Sequence, residues 1–287
     1  MIAEFAASWA LFGHAYVAGW LIAVLLSLLG VVVVARDQIF LGAAVSQAAV
    51  LGMALALALG SAPGLHEQDW MHADWTLLLA GAACAVLGAL ATAGGGRRAG
   101  ESHEAITGWV FLFASCFSVL LLAHSPHGMD EINRLLASTL IGATGSDAYV
   151  FGGLVAAVVA VAVAARDRLL LLATDPEMAG AVGLRVRAWN RGVSVALGLA
   201  VGLSIHVAGV VYAFGCLVLP ALVAKSVCRE VRAMCWVAPA IALAGAVAGF
   251  VLANHHDLPP AQATVGLLAT VLAVAWVIAR LRSARAA

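Results

Sequence analysis

Charged side chains are scarce in this sequence. They make up 10% of its 287 residues, and the 15 Lys and Arg are balanced by 15 Asp and Glu. Ordinary water-soluble domains carry about 25% charged residues. The scarcity therefore excludes a globular protein that meets water on all sides. The zero net charge also argues against the strongly basic surface that is typical of nucleic-acid-binding proteins.

Cysteine motifs are missing as well, and residues 1–13 do not show the pattern of a cleaved signal peptide. The five cysteines contain no C-x-x-C pair and lie within or beside apolar segments. We interpret them as small packing residues. Residues 1–13 lack the basic stretch of a cleaved signal peptide and carry Glu4, so we expect the first apolar segment to remain as a helix.

Long apolar runs dominate what remains. Hydrophobic residues make up 64% of the chain, and the mean hydropathy is +1.03. A run of about 18–20 apolar residues predicts one membrane-spanning helix. Such runs occupy residues 14–35, 40–60, 74–93, 105–123, 148–165, 193–225, 234–253 and 262–281. The fold class is therefore an all-α polytopic membrane protein, a single transmembrane domain over residues 1–287 with eight or nine spanning helices.

The connectors between these runs alternate in charge. Fourteen of the fifteen Lys and Arg fall in one set of connectors, and only Arg134 lies in the other set. Because basic connectors stay in the cytoplasm, this pattern predicts an outer N-terminus and a cytoplasmic C-terminus. That orientation requires an odd number of crossings.

The run 193–225 supplies the extra crossing. At about 1.5 Å per residue it would reach about 50 Å, well beyond a hydrocarbon core of about 30 Å. Gly198, Gly202 and Gly209 offer places to break it. We predict two short or broken helices that cross out and return, and broken helices at membrane depth typically line a path. The amphipathic segment 131–147 is predicted to form a short helix on the outer face.

Residues 166–192 form the longest polar connector. Within it, Thr174 or Asp175 can cap a helix that begins at Pro176, and Glu177 lies near the positive end of its dipole. Gly183 is placed to end this helix. The segment is either an ordinary structured loop or a coupling helix that docks onto a cytoplasmic ATPase.

Histidine and acidic residues are concentrated in the opposite connectors. Imidazole and carboxylate groups are ligands for zinc and manganese, so these connectors are either a metal-attracting mouth or plain solvated loops. The candidate residues are His66, His72, His124, His127, His255, His256 and Asp257. Within the apolar runs, His206, Ser46 and Gln47 are either pathway or packing residues, because ionisable groups at membrane depth are commonly functional.

Four segments together resemble the integral membrane permease of the zinc/manganese/iron family of ABC importers. Residues 36–48 (RDQIFLGAAVSQA) are similar to the family's R-x-x-x-F-x-G-D-x-[LIV]-S-H-A region. Residues 174–186 (TDPEMAGAVGLRV) are similar to its D-x-E-x-A-x-x-x-G-[IV]-x-V coupling segment. Residues 207–221 (VAGVVYAFGCLVLPA) are similar to its V-G-x-[LIV]…L-[LIV]-x-P-A signature, and residues 257–259 to its D-x-P turn.

The resemblance implies partners and roles. Two copies would form the translocation path in a bacterial inner membrane, two ATPase subunits would bind ATP below, and an extracytoplasmic binding protein would deliver the metal. The coupling residues would be Asp175, Glu177, Ala179 and Gly183. Ala43 and Gln47 stand where the family has an acid and a histidine, and this departure leaves the metal open.

The favoured interpretation is a permease that imports a divalent transition metal, with zinc first and manganese next. The alternatives are iron, a metal chelate such as a siderophore, or an ATPase-independent secondary transporter. The last would need carboxylates at membrane depth, and the interiors of the runs contain none, with Asp147 only at a margin. No run holds a nucleophile–base pair, so we do not expect an enzyme or a cofactor bound by this chain.

Overall fold

The computed structural model describes residues 2–60, 74–95, 102–123 and 140–286. Within these ranges the chain forms helices and turns without a β-strand. The helices are α1 (Ile2–Ala35), α2 (Ile39–Gly60), α3 (Asp74–Gly95), α4 (His103–Ala123), α5 (Gly145–Ala164), α6 (Arg166–Thr174), α7 (Pro176–Ala181), α8 (Val186–Val227), α9 (Val231–His256) and α10 (Pro260–Ala286).

Eight of the helices in the described ranges are long and apolar enough to cross a membrane, which confirms the predicted fold class. The short helices α6 and α7 are the two that are not. Most helices extend a few residues beyond the predicted apolar runs, because their polar ends still satisfy backbone hydrogen bonds by helix formation. The largest extensions are those of α1, which begins at Ile2, and of α8, which begins at Val186 inside the predicted connector.

The long helix α8 is interrupted at Gly209, whose backbone has φ 75° and ψ 171°. This conformation is open to glycine and strained for residues with a Cβ atom. We call residues 186–208 α8a and residues 211–227 α8b. The predicted break is therefore confirmed at Gly209, but the structure contradicts the suggestion that Gly198 and Gly202 also break the helix.

Gly198 and Gly202 have a packing role instead. A Cβ atom on Gly198 would lie 2.5 Å from Cα of Val86, and one on Gly202 would lie 2.6 Å from Cα of Ala82. These glycines let α8a approach the backbone of α3 closely, as small residues do in membrane helix pairs.

The predicted amphipathic helix over 131–147 is wrong where it can be examined. Leu140–Gly142 form one 3₁₀ turn, and α5 has already begun at Gly145, capped by Thr144 and Asp147. The capping box stabilises a new helix start and so prevents a continuous helix through this segment. Residues 131–139 lie outside the described ranges.

The helices form two compact units. The first unit comprises Met1–Asp37, Thr139–Leu184 and Val211–Ala287, and the second comprises Gln38–Ser138 and Arg185–Val210. In the first unit, α1 packs along α9 and α5, and α9 packs against α10. Its core includes the fully buried side chains of Ile22, Leu25, Leu26 and Phe250.

In each unit, one glycine brings the backbones of two helices into direct contact. A Cβ atom on Gly30 of α1 would overlap the backbone carbonyl of Leu217 in α8b. In the second unit, α2 packs against both α3 and α4, and a Cβ atom on Gly52 would overlap the carbonyl of Ala80 in the same way. Glycine at both positions therefore allows direct backbone packing.

Candidate functional site

The short helix α7 has a well-formed start. The Asp175 carboxylate accepts hydrogen bonds from the backbone N–H groups of Glu177, at 3.1 Å, and Met178, at 2.9 Å. Pro176 occupies the first turn, where its missing N–H costs nothing. Asp175 is therefore the cap, and the predicted helix start is confirmed.

The same helix ends at a left-handed glycine. Gly183 has φ 86°, and the N–H of Leu184 donates back to the carbonyl of Ala179 at 3.0 Å. This is the glycine-based helix ending that satisfies carbonyls without a further turn. The predicted end at Gly183 is therefore confirmed, and α7 is a rigid, doubly capped unit.

Burial divides the predicted coupling residues into two groups. The side chain of Ala179 is fully buried, so this face of α7 packs against the rest of the first unit. Asp175, Glu177 and Gly183 are exposed, as are the apolar side chains of Met178, at 54%, and Val182, at 67%. Because α7 is too short to span a membrane, these exposed apolar groups form a surface suited to a protein partner.

The turn between α1 and α2 is a feature that sequence reasoning passed over. The Arg36 guanidinium donates from Nη2 to the carbonyl oxygen of Leu172 in α6, at 3.1 Å. Partial burial lowers the pKa of Arg36 from its ordinary value. The adjacent Asp37 has a left-handed backbone, with φ 54°, and its carboxylate lies 2.5 Å from Nζ of Lys225. In the sequence, Arg36 stands out only as the first residue of segment 36–48, which resembles a motif of the permease family.

The predicted pathway residues all lie in the second unit. Ser46 is 1% exposed and Gln47 is half-buried, both on α2. His206 is half-buried on α8a, and sequence reasoning missed Ser204, two residues earlier and fully buried. Within the described residues, the hydroxyls of Ser46 and Ser204 have no hydrogen-bond partner. Unsatisfied buried hydroxyls are costly and deserve a functional explanation.

Helix packing places these residues at two depths. Gly52 of α2 contacts Ala80 and Cys84 of α3, and Gly202 of α8a contacts Ala82 of the same helix. Both pairs run antiparallel, so position 52 of α2 lies level with about position 202 of α8a. At about 1.5 Å per residue, Ser46 and Gln47 then lie about 14 Å from the level of His206. The three predicted residues therefore do not form one ligand cluster.

The described part of the chain contains no group of three His, Cys, Asp or Glu side chains that could hold a metal ion. His255 lies at the end of α9, with Nδ1 2.8 Å from a carboxylate oxygen of Glu4, and its ring meets the edge of His256. Asp257 follows with a left-handed backbone. His66, His72, His124 and His127 lie outside the described residues, so the predicted mouth is described only at its α9 end.

A cavity of about 270 Å³ adjoins this end of the first unit. Tyr16, Phe12 and Phe250 line it with aromatic rings, and Asn254 and Asp257 supply the polar groups at its edge. The Tyr16 hydroxyl lies 3.5 Å from Oδ1 of Asn254. The cavity therefore lies between α1 and the end of α9, beside Pro260 at the start of α10.

Comparisons with known proteins agree with this architecture. The model of the ABC 3 transport family matches residues 8–280. A protein of Haemophilus influenzae described as a probable iron transport system membrane protein is 23% identical over 172 residues, which are 60% of this chain and 64% of that relative.

Two solved structures share the fold. PsaBC from Streptococcus pneumoniae, in complex with Fab, matches with a TM-score of 0.78 and 17% identity, covering 96% of this chain and 95% of that one. An inward-facing structure described as a metal-chelate type ABC transporter matches with a TM-score of 0.69 and 15% identity, covering 91% and 84%. The family match over nearly the whole chain, together with eight apolar helices, shows that this chain belongs to the ABC 3 transport family.

Proposed function

We propose that the chain is the permease subunit of an ABC importer that moves a divalent transition metal, zinc first and manganese next, into the cytoplasm. The observation that carries the proposal is α7, a short helix capped at both ends that exposes Glu177, Met178 and Val182. In a member of an ABC transport family, such a helix is suited to dock onto the ATPase that drives the cycle.

The ATPase is a separate chain in this proposal. The glycine-rich residues 94–98 (GGGRR) lack the G-K-[ST] ending that binds nucleotide phosphates. Closure of the ATPase pair would push on Met178 and Val182, and Ala179 would transmit the displacement because its side chain is fully buried. In this proposal ATP binds to the partner subunit and acts on this chain through α7.

In this proposal α6 and α7 lie in the cytoplasm, which the basic residues of their connector support. If α8a and α8b each cross once, at about 35 Å and 26 Å, the chain crosses nine times. The N-terminus then lies outside and the C-terminus inside, in agreement with the charge pattern. A bacterial inner membrane is the proposed location, with two copies of the chain enclosing the path.

The path residues suit transient binding. The hydroxyl of Ser46 and the amide of Gln47 lie at one depth and the imidazole of His206 lies at another, so neither depth offers more than two of these ligands. A stable zinc site needs about three or four ligands at one point, so the ion would pass without being trapped. Selectivity would then rest with an extracytoplasmic binding protein that hands the metal to the end of the chain carrying His255, His256 and Asp257.

Iron or a metal chelate is the second candidate cargo. The observation that favours it is the missing three-ligand cluster in the described ranges, since a chelated metal brings its own ligands. The name of the Haemophilus influenzae relative, which mentions iron transport, supports the same alternative. An ATPase-independent secondary transporter is a weaker candidate, because the interiors of the apolar runs contain no Asp or Glu.

Metal uptake in a bacterial strain without its own importers tests the proposal. The chain is expressed with its ATPase and binding protein, and zinc, manganese, iron and a ferric siderophore are supplied separately. We expect ATP-dependent zinc accumulation that is lost when the ATPase is inactivated. Accumulation of siderophore-bound iron alone would support the second candidate, and uptake that survives ATPase inactivation would contradict both.

A further inference from the structure

The turn joining α1 to α2 connects three helices of the first unit. The turn is tight, because the N–H of Asp37 donates to the carbonyl of Val34 at 3.2 Å and Asp37 adopts a left-handed backbone. Asp tolerates this conformation better than most residues. The two side chains Arg36 and Asp37 therefore leave the turn from fixed positions.

Arg36 ends at a carbonyl that α6 itself leaves unsatisfied. Leu172 lies in the last turn of α6, where carbonyls lack intrahelical donors. The residue four positions later is Pro176, which has no N–H to offer. The Arg36 guanidinium supplies the donor at 3.1 Å, and its positive charge lies at the negative end of the helix dipole.

Asp37 makes the second connection. Its carboxylate binds Nζ of Lys225 at 2.5 Å, near the end of α8b, and the same Nζ lies 3.5 Å from the carbonyl of Val34 in α1. The Lys225 and Asp37 side chains are 45% and 78% exposed. Such an exposed pair contributes little to stability. Its relevance here is that it joins the α1–α2 turn to α8b.

A third contact couples α1 to α8b deeper in the unit. Gly30 brings the backbone of α1 directly onto the carbonyl of Leu217. Side chains that could rearrange are absent from this contact, so α1 and α8b can shift together but cannot separate without losing it. A displacement of α1 is therefore also a displacement of α8b, which starts just after the break at Gly209.

We propose that Arg36 is a positioning residue that transmits motion of the α6–α7 pair to α1 and α8b. Motion of α7 would first move α6. The hydrogen bond from Arg36 to Leu172 would then pull on the turn, which is joined to α1 and, through Asp37, to α8b. We call Arg36, Asp37, Leu172 and Lys225 the elbow relay. The proposal rests on the proposed function, because it requires an ATPase that moves α7.

The number of substrate ions moved per ATP hydrolysed is the readout that separates a relay from a structural contact. The complex with its ATPase and binding protein is reconstituted into liposomes, and zinc uptake and ATP hydrolysis are measured in the same vesicles. Arg36→Met keeps an unbranched, flexible side chain but removes the guanidinium with its charge and its donors. We expect ATP hydrolysis to continue while zinc moved per ATP falls on the order of tenfold.

Two matched variants complete the test. Arg36→Lys keeps one charged donor and is expected to recover part of the lost coupling. Arg168→Met removes the same charge from an exposed position on α6 and is expected to leave the ratio of zinc to ATP unchanged. A normal ratio in Arg36→Met overturns the relay, and so does an equal loss in Arg168→Met.

If Arg36→Met fails to assemble, the variants Asp37→Asn and Lys225→Gln test the elbow relay instead. Asparagine keeps the left-handed backbone favourable at position 37, and both variants remove the ion pair while Arg36 stays in place. We expect each to lower the ratio several-fold, without a further loss in the double variant. Unchanged ratios overturn the relay, whereas wild-type vesicles without ATP-dependent uptake of any supplied metal contradict the proposed function itself.

Discussion

The Tyr212 hydroxyl in α8b donates a hydrogen bond to the backbone carbonyl of Gly19 in α1, at 2.9 Å. Both partners are buried, and a Cβ atom on Gly19 would lie 2.6 Å from the ring of Phe250 in α9. Three helices of the first unit therefore meet at this point. The bond fixes the start of α8b only three residues beyond the break at Gly209.

Replacing Tyr212 by phenylalanine removes this hydrogen bond and keeps the ring. We expect Tyr212→Phe to lower the free energy of unfolding by about 1 kcal/mol, the usual net value of one buried hydrogen bond. Thermal unfolding of the purified protein in detergent measures the change. Tyr149→Phe is the control, because Tyr149 is 85% exposed and its loss of a hydroxyl should leave stability unchanged.

Gly30 should tolerate no side chain. Gly30→Ala forces α1 away from Leu217, and overpacking of this kind costs about 1–3 kcal/mol. Gly153→Ala in α5 is the matched control, since a Cβ atom there meets nothing within 4 Å and alanine favours a helix by about 1 kcal/mol. Unfolding in mixed micelles should show opposite effects for the two variants, and equal effects would contradict the backbone contact.

The fold class and the two ends of α7 were predicted correctly from the sequence because both depend on local patterns. Apolar runs show membrane spans by length alone, and the Asp175, Pro176 and Gly183 pattern shows both helix ends. Gly209 differs from Gly198 and Gly202 in a way that the sequence does not show. All three lie in the same apolar run, but Gly198 and Gly202 pack closely against α3 within a continuous helix, whereas Gly209 has a non-helical backbone.

The links between distant segments could not be predicted. The bond from Arg36 to Leu172 joins positions 136 residues apart, and a single sequence gives no pairing information at that range. The grouping of Ser46, Gln47 and His206 as path residues depended on residue type, whereas their depths depend on helix register. Register is set by Gly52, Gly198 and Gly202, whose packing role appears only in three dimensions.

Charge reversal at Glu177 should disturb docking without unfolding α7. Glu177→Lys places a positive charge in the first turn, where the helix dipole disfavours it by about 0.3–1 kcal/mol, and it changes the surface beside Met178. We expect reduced stimulation of ATP hydrolysis by the metal-loaded binding protein. Glu230→Lys reverses another exposed acid outside α7 and should keep normal stimulation. Normal stimulation in Glu177→Lys would show that α7 is not the docking helix.

Loss of the imidazole from His206 should slow metal passage. His206→Ala is expected to lower zinc uptake several-fold while the complex still assembles, because a single transient ligand is removed. His14→Ala removes an exposed imidazole from α1 as a control. Zinc uptake measured over a range of concentrations tests this, and identical curves for wild type and His206→Ala would exclude a role in the path.

Cysteine labelling tests the proposed orientation. In a background without the five native cysteines, His255→Cys should react with a membrane-impermeant maleimide in intact spheroplasts. Arg168→Cys in α6 should react only after the membrane is opened. The opposite pattern would reverse the assigned topology, and with it the cytoplasmic position of α7.

The lengths of the spanning helices carry a consequence for lipids. The apolar span of α1 has 28 residues and that of α3 has 19, or about 42 Å and 28 Å at about 1.5 Å per residue. A hydrocarbon core of about 30 Å matches α3, whereas α1 must tilt or thicken the bilayer around it. Hydrophobic mismatch therefore falls on α1, the helix that also carries Gly30 and leads into Arg36, and on α9, whose span has 26 residues. Acyl-chain length in the liposomes therefore becomes a variable of every transport measurement on this protein.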